Sequence, residues 1–403
     1  MQDIWPPLPI IINSNYSYKQ VSPVEGADNV IAALEHCDRV RGIFLDIYPI
    51  SRSLFGRITT ILQEPFPELT HLWLGSTDDG SVSVLPDSFL ASAPRLRSLR
   101  LQNFRSPSSR KLLLSATHLT YLYLWSIPRS GYISPEAIVT CLSALTKLET
   151  FELGFRSPQS RPDRTIQHPP LERVLLPALT HLRFKGMGKY LDDLVARIDA
   201  PLLCIVEIVF FNQLIFDFSH LPRFIGCVEK FKTLNSADLT FFDNHVSVSL
   251  TPKARPGPGL ANNTSLSFTC SCKDSDWQLS SVAQFCTSSF PSLSGVECLD
   301  IYESRSWQPY GLHDMENTQW MELLHPFTVI KDLRLSEELV VRVVEALQGL
   351  AREGVTNVLP ALQNLFLEGV KPSDLLHKAI TQFVAARQLA GHPVALQDWI
   401  AWS

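Results

Sequence analysis

Residues 117–126 read THLTYLYLWS. Leu122 and Leu124 are two apart, so on a strand they point to the same side, while Tyr121, Tyr123 and Trp125 point to the other. Leu119 stands three residues ahead and closes the corner before the strand. The template L-x-x-L-x-L recurs as Leu69, Leu72, Leu74; Leu96, Leu99, Leu101; Leu148, Phe151, Leu153; and Leu179, Leu182, Phe184. It returns as Ile330, Leu333, Leu335 and as Leu362, Leu365, Leu367. Looser copies begin at Val40, Leu203, Leu234 and Val296. Copies between Val40 and Leu234 start about 23 to 31 residues apart, and two periods separate Leu234 from Val296, which leaves room for one worn copy.

A unit of this size cannot bury its own apolar face, but stacked units share one core. The pattern predicts an α/β fold: a leucine-rich-repeat solenoid with a parallel concave sheet and convex helices. A doubly wound sheet also alternates strand and helix, but it does not repeat one side-chain template, and no G-x-G-x-x-G turn occurs. The positions where such repeats often carry Asn hold Thr77, Phe104, Ile127, Arg156, Met187 and Phe211, which predicts an irregular horseshoe. One solenoid is expected over 1–403, with surface insertions at 156–170 and 251–264. A C-terminal capping segment is expected over 371–403. Helices are expected at Glu337–Arg352 and Ser373–Ala390, the second exposing Lys378, Gln382 and Arg387.

Composition narrows the function classes. Hydrophobic residues are 45% and charged residues 19% of the 403, enough for a large core. No apolar run approaches the ~20 residues of a membrane span, and the N-terminus lacks the basic and small-residue marks of a signal peptide. An intracellular location, cytoplasmic or nuclear, follows as an expectation, with the eight cysteines reduced. Cys270 and Cys272 form a lone C-x-C without a second pair at zinc spacing, so neither metal nor cofactor is expected.

Segment order and wording also resemble a family. DIWPPLPIIIN (3–13), ALEHCDRVRGIFL (33–45), KYLDDLVARIDAPLL (189–203), SSVAQFCTSSFPSL (280–293), QWMELLHPFTVIKDL (319–333) and ITQFVAARQLAGHPVAL (380–396) are similar to basidiomycete, mushroom-type F-box-like proteins with leucine-rich repeats. In that family a helical F-box precedes the segment equivalent to Trp5, whereas only four residues do so here. The resemblance implies the substrate-binding part of a ubiquitin-ligase receptor. It would meet a cullin-ligase adaptor only if a missing F-box were restored. A truncated gene reading and a copy that lost the linkage are both consistent with this.

Chemistry-bearing motifs are missing. No G-x-S-x-G, H-E-x-x-H or Cys/His arrangement appears. His71 and His181 recur with the repeat, and Asp192-Asp193 reads as a helix start or solvated face. No catalytic residue is expected, and the chain reads as a non-enzymatic recognition module. Facing away from the core should be His71, Trp73, Gly75; Ser98, Arg100, Gln102; Tyr121, Tyr123, Trp125; Thr150, Glu152, Gly154; and His181, Arg183, Lys185. Trp73, Arg100, Tyr121, Tyr123, Trp125 and Arg183 are the candidate partner-binding residues, since exposed Trp, Tyr and Arg compose binding hot spots. Rings that only stack on one another, or a strand register off by one, would explain the same residues. Ser88–Pro135 carries no Asp or Glu but seven Lys or Arg, so an acidic protein segment is the favoured partner. With net charge −5 and pI about 6.1, nucleic acid is disfavoured. A stand-alone leucine-rich scaffold unrelated to ubiquitination and an unrecognised hydrolase remain as rival readings.

Overall fold

The computed structural model describes residues 8–14, 25–46, 52–76, 83–86, 89, 92–105, 109–158, 173–211, 216–252, 264–272, 275–287, 291–304, 317–336, 339–340, 343–344, 346–347, 358–368 and 374–399. The chain divides into two compact units: Met1–Gly186 with Asp193–Leu203, and Met187–Asp192 with Cys204–Ser403. Most of the expected insertions at 156–170 and 251–264 lies outside the described residues, as does much of the helix expected at Glu337–Arg352.

In the first unit the strands of the large sheet are β1 (Ile10–Ser14), β2 (Val40–Asp46), β3 (His71–Gly75), β4 (Ser98–Gln102), β5 (Tyr121–Ile127), β6 (Thr150–Phe155) and β7 (His181–Gly186). They pair in chain order, each parallel to the next. The register puts the template residues side by side: Ile43, Leu72, Leu99, Leu122, Phe151 and Leu182 form one row. Leu45, Leu74, Leu101, Leu124, Leu153 and Phe184 form the next. Both rows are buried, as are Ile58, Leu62, Leu112, Leu113, Ile138 and Leu142 from the connections. Each such side chain stabilises by about 2 kcal/mol on leaving water.

The corner ahead of each strand has its own chemistry. The backbone N–H of Leu69, Leu96, Leu119, Leu148 and Leu179 donates to the carbonyl three residues back, at 3.0–3.3 Å. Those earlier residues, Phe66, Ala93, Ala116, Leu145 and Leu176, are all buried. Beside the corners, the Thr70, Thr120 and Thr180 hydroxyls donate to the carbonyls of Arg41, Arg97 and Glu149 in the preceding repeat (2.9, 3.2 and 3.1 Å). Their backbone N–H groups donate to the same carbonyls at 2.8–2.9 Å. A threonine ladder at the strand starts therefore links repeats that lack the asparagine ladder.

The second unit holds β8 (Ile205–Phe211), β9 (Ser236–Phe242), β10 (His245–Thr251), β11 (Ser265–Ser271), β12 (Cys298–Glu303), β13 (Asp332–Leu335), β14 (Asn364–Glu368) and β15 (Ala395–Trp399). From β12 onward it repeats the parallel pattern, in register through Leu299, Leu333, Leu365 and Leu396. Before that, the order departs from the expected all-parallel succession. β8 pairs with β11, and β11, β10 and β9 follow antiparallel before β9 meets β12. The reason is local. Only Asp243 and Asn244 join β9 to β10, and a two-residue connection can make only a hairpin. Instead of one worn copy, the gap after Leu234 holds two alternating strands. They bury Val246, Val248, Leu250 and Leu266, Phe268, Cys270.

Two smaller expectations also fail. Arg387 is 6% exposed, and its guanidinium donates to the carbonyls of Leu359 (3.2 Å) and Pro360 (3.4 Å), while Lys378 and Gln382 are exposed as expected. Burial lowers the pKa of Arg387 from its ordinary value. Asp192 is buried rather than solvated. Its carboxylate accepts the backbone N–H of Ser219, His220 and Leu221 at 3.1, 2.8 and 2.8 Å, where the helix Leu221–Gly226 begins.

Candidate functional site

On the outward face of the first unit, register builds three rows. Phe44, Trp73, Arg100, Tyr123, Glu152 and Arg183 form the central one. His71, Ser98, Tyr121, Thr150 and His181 lie on one side, and Gly75, Gln102 and Trp125 on the other. The leucines alternate inward, so the rings face outward and the strand register is as read. Trp73, Tyr121, Tyr123, Trp125 and Arg183 are half-buried, and Arg100 is exposed.

Five of the six expected residues are linked in one network through Glu152, an outward acid outside the expected set, which itself contacts Tyr121 and Arg183. Glu152 is buried, 7% exposed as a residue. One carboxylate oxygen accepts from the Tyr121 hydroxyl, and the other pairs with the Arg183 guanidinium at 3.5 Å. Arg183 also lies over the Trp125 ring, 4.7 Å from its centroid, and Arg100 lies over Tyr121 at 4.3 Å. Tyr123 stacks on Trp125 with ring centroids 5.6 Å apart and planes at 21°. Trp73 stands one strand beyond this network. Its indole lies beside Gly75, within 3.7 Å of where a Cβ would be.

Trp125 has its position because Gly154 has no side chain. A Cβ there would come within 2.5–2.8 Å of three carbons of the indole. The pairing of β5 with β6 shifts between Leu124 and Ile127, and Ser126 takes a left-handed φ of 52°. A bulge of this kind re-aims the side chain beside it. The pKa of Tyr121 is raised, first by burial and then by its hydrogen bond to Glu152. That of Tyr123 is raised by burial and by the charge of Glu152. Both phenols therefore stay neutral donors well into alkaline conditions. The arrangement fixes rings and guanidinia in place.

Among the described residues no group of three His, Cys, Asp or Glu could hold a metal ion, and no helix is long and apolar enough to cross a membrane. Repeat register, buried rows and corner turns together define a leucine-rich-repeat protein. No family model matches the chain, and a search of curated proteins finds no match. Among solved structures it is similar to the leucine-rich repeat-containing protein LegL7 from Legionella pneumophila. That likeness has a TM-score of 0.32 and 14% identity over 96% of this chain and 98% of the other.

Proposed function

We propose that the first unit is a non-enzymatic protein-recognition module whose partner seats on Trp73, Arg100, Tyr121, Tyr123, Trp125 and Arg183. The observation that carries this reading is the network around Glu152. It holds aromatic and arginine side chains rigid on an outward face, so little rotamer freedom is lost when a partner arrives. Its resemblance to mushroom-type F-box-like proteins supports the further reading that the partner is a substrate of a ubiquitin-ligase receptor. Trp73→Ala tests the binding surface directly, because among the described residues its ring has no hydrogen-bond or stacking partner to lose. Proteins captured by proximity labelling should bind this variant about 2 kcal/mol more weakly, as hot-spot truncations do. Its unfolding midpoint should be unchanged. A set of captured proteins that is identical for the parent, Trp73→Ala and Tyr123→Ala would leave the rings as a stacked ladder with no partner.

A further inference from the structure

Where β2–β5 begin, the first unit has a recess of about 650 Å³ that the aromatic site does not use. It is lined by Arg41, Arg95, Arg97, His71 and His118, with Ile11 and Phe44 on the apolar side and Glu68 as its acid. Glu68 is already paired with Arg95, which leaves Arg41 and Arg97 as unbalanced charge. Both are exposed, and neither guanidinium has a hydrogen bond or ion pair among the described residues. Their backbones are fixed: the Arg41 carbonyl accepts from the backbone N–H of Thr70, and the Thr70 carbonyl from that of Arg97. The two arginines thus stand two strand spacings apart, about 10 Å. His118 Nδ1 lies 3.0 Å from the Lys147 ammonium, which can only donate, so Nε2 carries the imidazole proton as a further donor. On the apolar side His71 stacks on Phe44 at 6.4 Å, and Ile11 is 64% exposed.

We propose that this recess docks an acidic, extended protein segment lying across the strand starts, with one carboxylate on Arg41, a second on Arg97 and an apolar side chain against Ile11 and Phe44. The inference rests on the protein-recognition reading of this unit, though on different residues. Two facts favour a peptide over a nucleic acid. The cationic track ends after two arginines, because the corresponding strand-start position before β6 is Glu149. Affinity for nucleic acid depends on neutralising many phosphates in succession. Two carboxylates about 10 Å apart correspond to positions i and i+3 of an extended polyproline-like segment, which rises 3.1 Å per residue and repeats its face every three.

The test uses the full chain and labelled ten-residue peptides carrying one Leu and two Glu, the second Glu placed two, three or four positions after the first, with Gln-for-Glu counterparts. The i, i+3 peptide should bind best, lose at least tenfold when both Glu are Gln, and weaken with added salt. Arg41→Gln with Arg97→Gln should lose at least tenfold, and Arg41→Lys with Arg97→Lys should recover part of it. Tyr123→Ala, three strands along from Phe44, should leave this binding untouched, which separates failure here from failure of the aromatic site. Equal binding of the Gln peptides, equal binding by the double Gln variant with an unchanged melting curve, or tighter binding of a thymidine oligonucleotide would each overturn the proposal.

Discussion

The first unit buries Glu152 and the second buries Asp300, each at the central outward position of its strand with an arginine directly opposite on the next strand. Each carboxylate accepts a tyrosine hydroxyl, and each arginine lies over an aromatic ring. The difference lies two residues further on, where the first unit has Gly154 and the second has Tyr302. Tyr302 donates to Asp300 on its own strand at 3.1 Å, and Cys298, two residues before, donates its thiol at 3.5 Å. Asp300 is thus closed in by its own strand, and Arg334 at 3.3 Å turns to Phe366 on β14. Gly154 leaves the floor open, so Trp125 crosses from β5 and the tyrosine donor comes from a neighbouring repeat. One side chain decides whether a buried acid finishes as an internal knot or as the hub of an aromatic surface.

The largest effect should come from removing the acids themselves. Asp300 is the more enclosed, with a side chain 3% exposed beside an Arg334 that is 28% exposed; the corresponding pair in the first unit is 9% and 40%. Removing one partner of a buried ion pair leaves the other charge uncompensated. Asp300→Ala should cost about 3 kcal/mol in urea unfolding and Glu152→Ala about half of that, because Arg183 can turn to water. Equal costs would mean that the enclosure by Tyr302 contributes nothing.

A second intervention closes the open floor. Gly154→Ala puts a methyl group where the indole of Trp125 lies, so the ring must leave. Overpacking of this kind costs about 2 kcal/mol, and Arg183 loses its cation–π partner. Tryptophan quenching by iodide, read against Trp125→Phe, should rise as the indole moves into solvent. An unchanged quenching curve with unchanged stability would show that the open floor is not what holds the ring.

Much of this was legible in the sequence. The period-2 leucines fix the strand faces, so Trp73, Tyr121, Tyr123 and Trp125 could be placed outward from residue spacing alone. Glu152 was visible as the one acid between Tyr123 and Arg183 in the central row. Its role depends on contacts with two neighbouring strands, Tyr121 diagonally and Arg183 directly opposite, and a single repeat does not contain those. Gly154 is silent for the same reason, since what needs the space belongs to another repeat. The reversed strands β9–β11 did leave a signal. HVSVSLT and SLSFTCS alternate with serine rather than with leucine-template residues, and Asp243-Asn244 is a hairpin connection. A search for L-x-x-L-x-L passes over both. Arg387 was misplaced because a long basic side chain on a helix is ordinarily solvated, and the carbonyls that accept it come from residues 359 and 360.

The smallest expected effect isolates the hydrogen bond that ties Tyr121 to Glu152. Tyr121→Phe keeps the ring under Arg100 and removes only the donor. It should cost about 1 kcal/mol at neutral pH, because the carboxylate loses one hydrogen bond while remaining partly paired with Arg183. The pH dependence makes the test specific. An unfolded tyrosine ionises near pH 10, and in the fold the Tyr121 pKa is raised above that value by burial and by Glu152. The fold therefore favours the neutral phenol. Its contribution is fully present below about pH 10 and is lost as pH rises from there through the folded value. The stability difference between the parent and Tyr121→Phe should stay constant from pH 7 to about 9 and shrink above about 10, as the phenolate comes to face the Glu152 carboxylate. Tyr302 titrates in both proteins and cancels from the difference. A difference that stays flat through strongly alkaline pH would mean that Tyr121 does not donate to Glu152, and the aromatic surface would then rest on Arg183 alone.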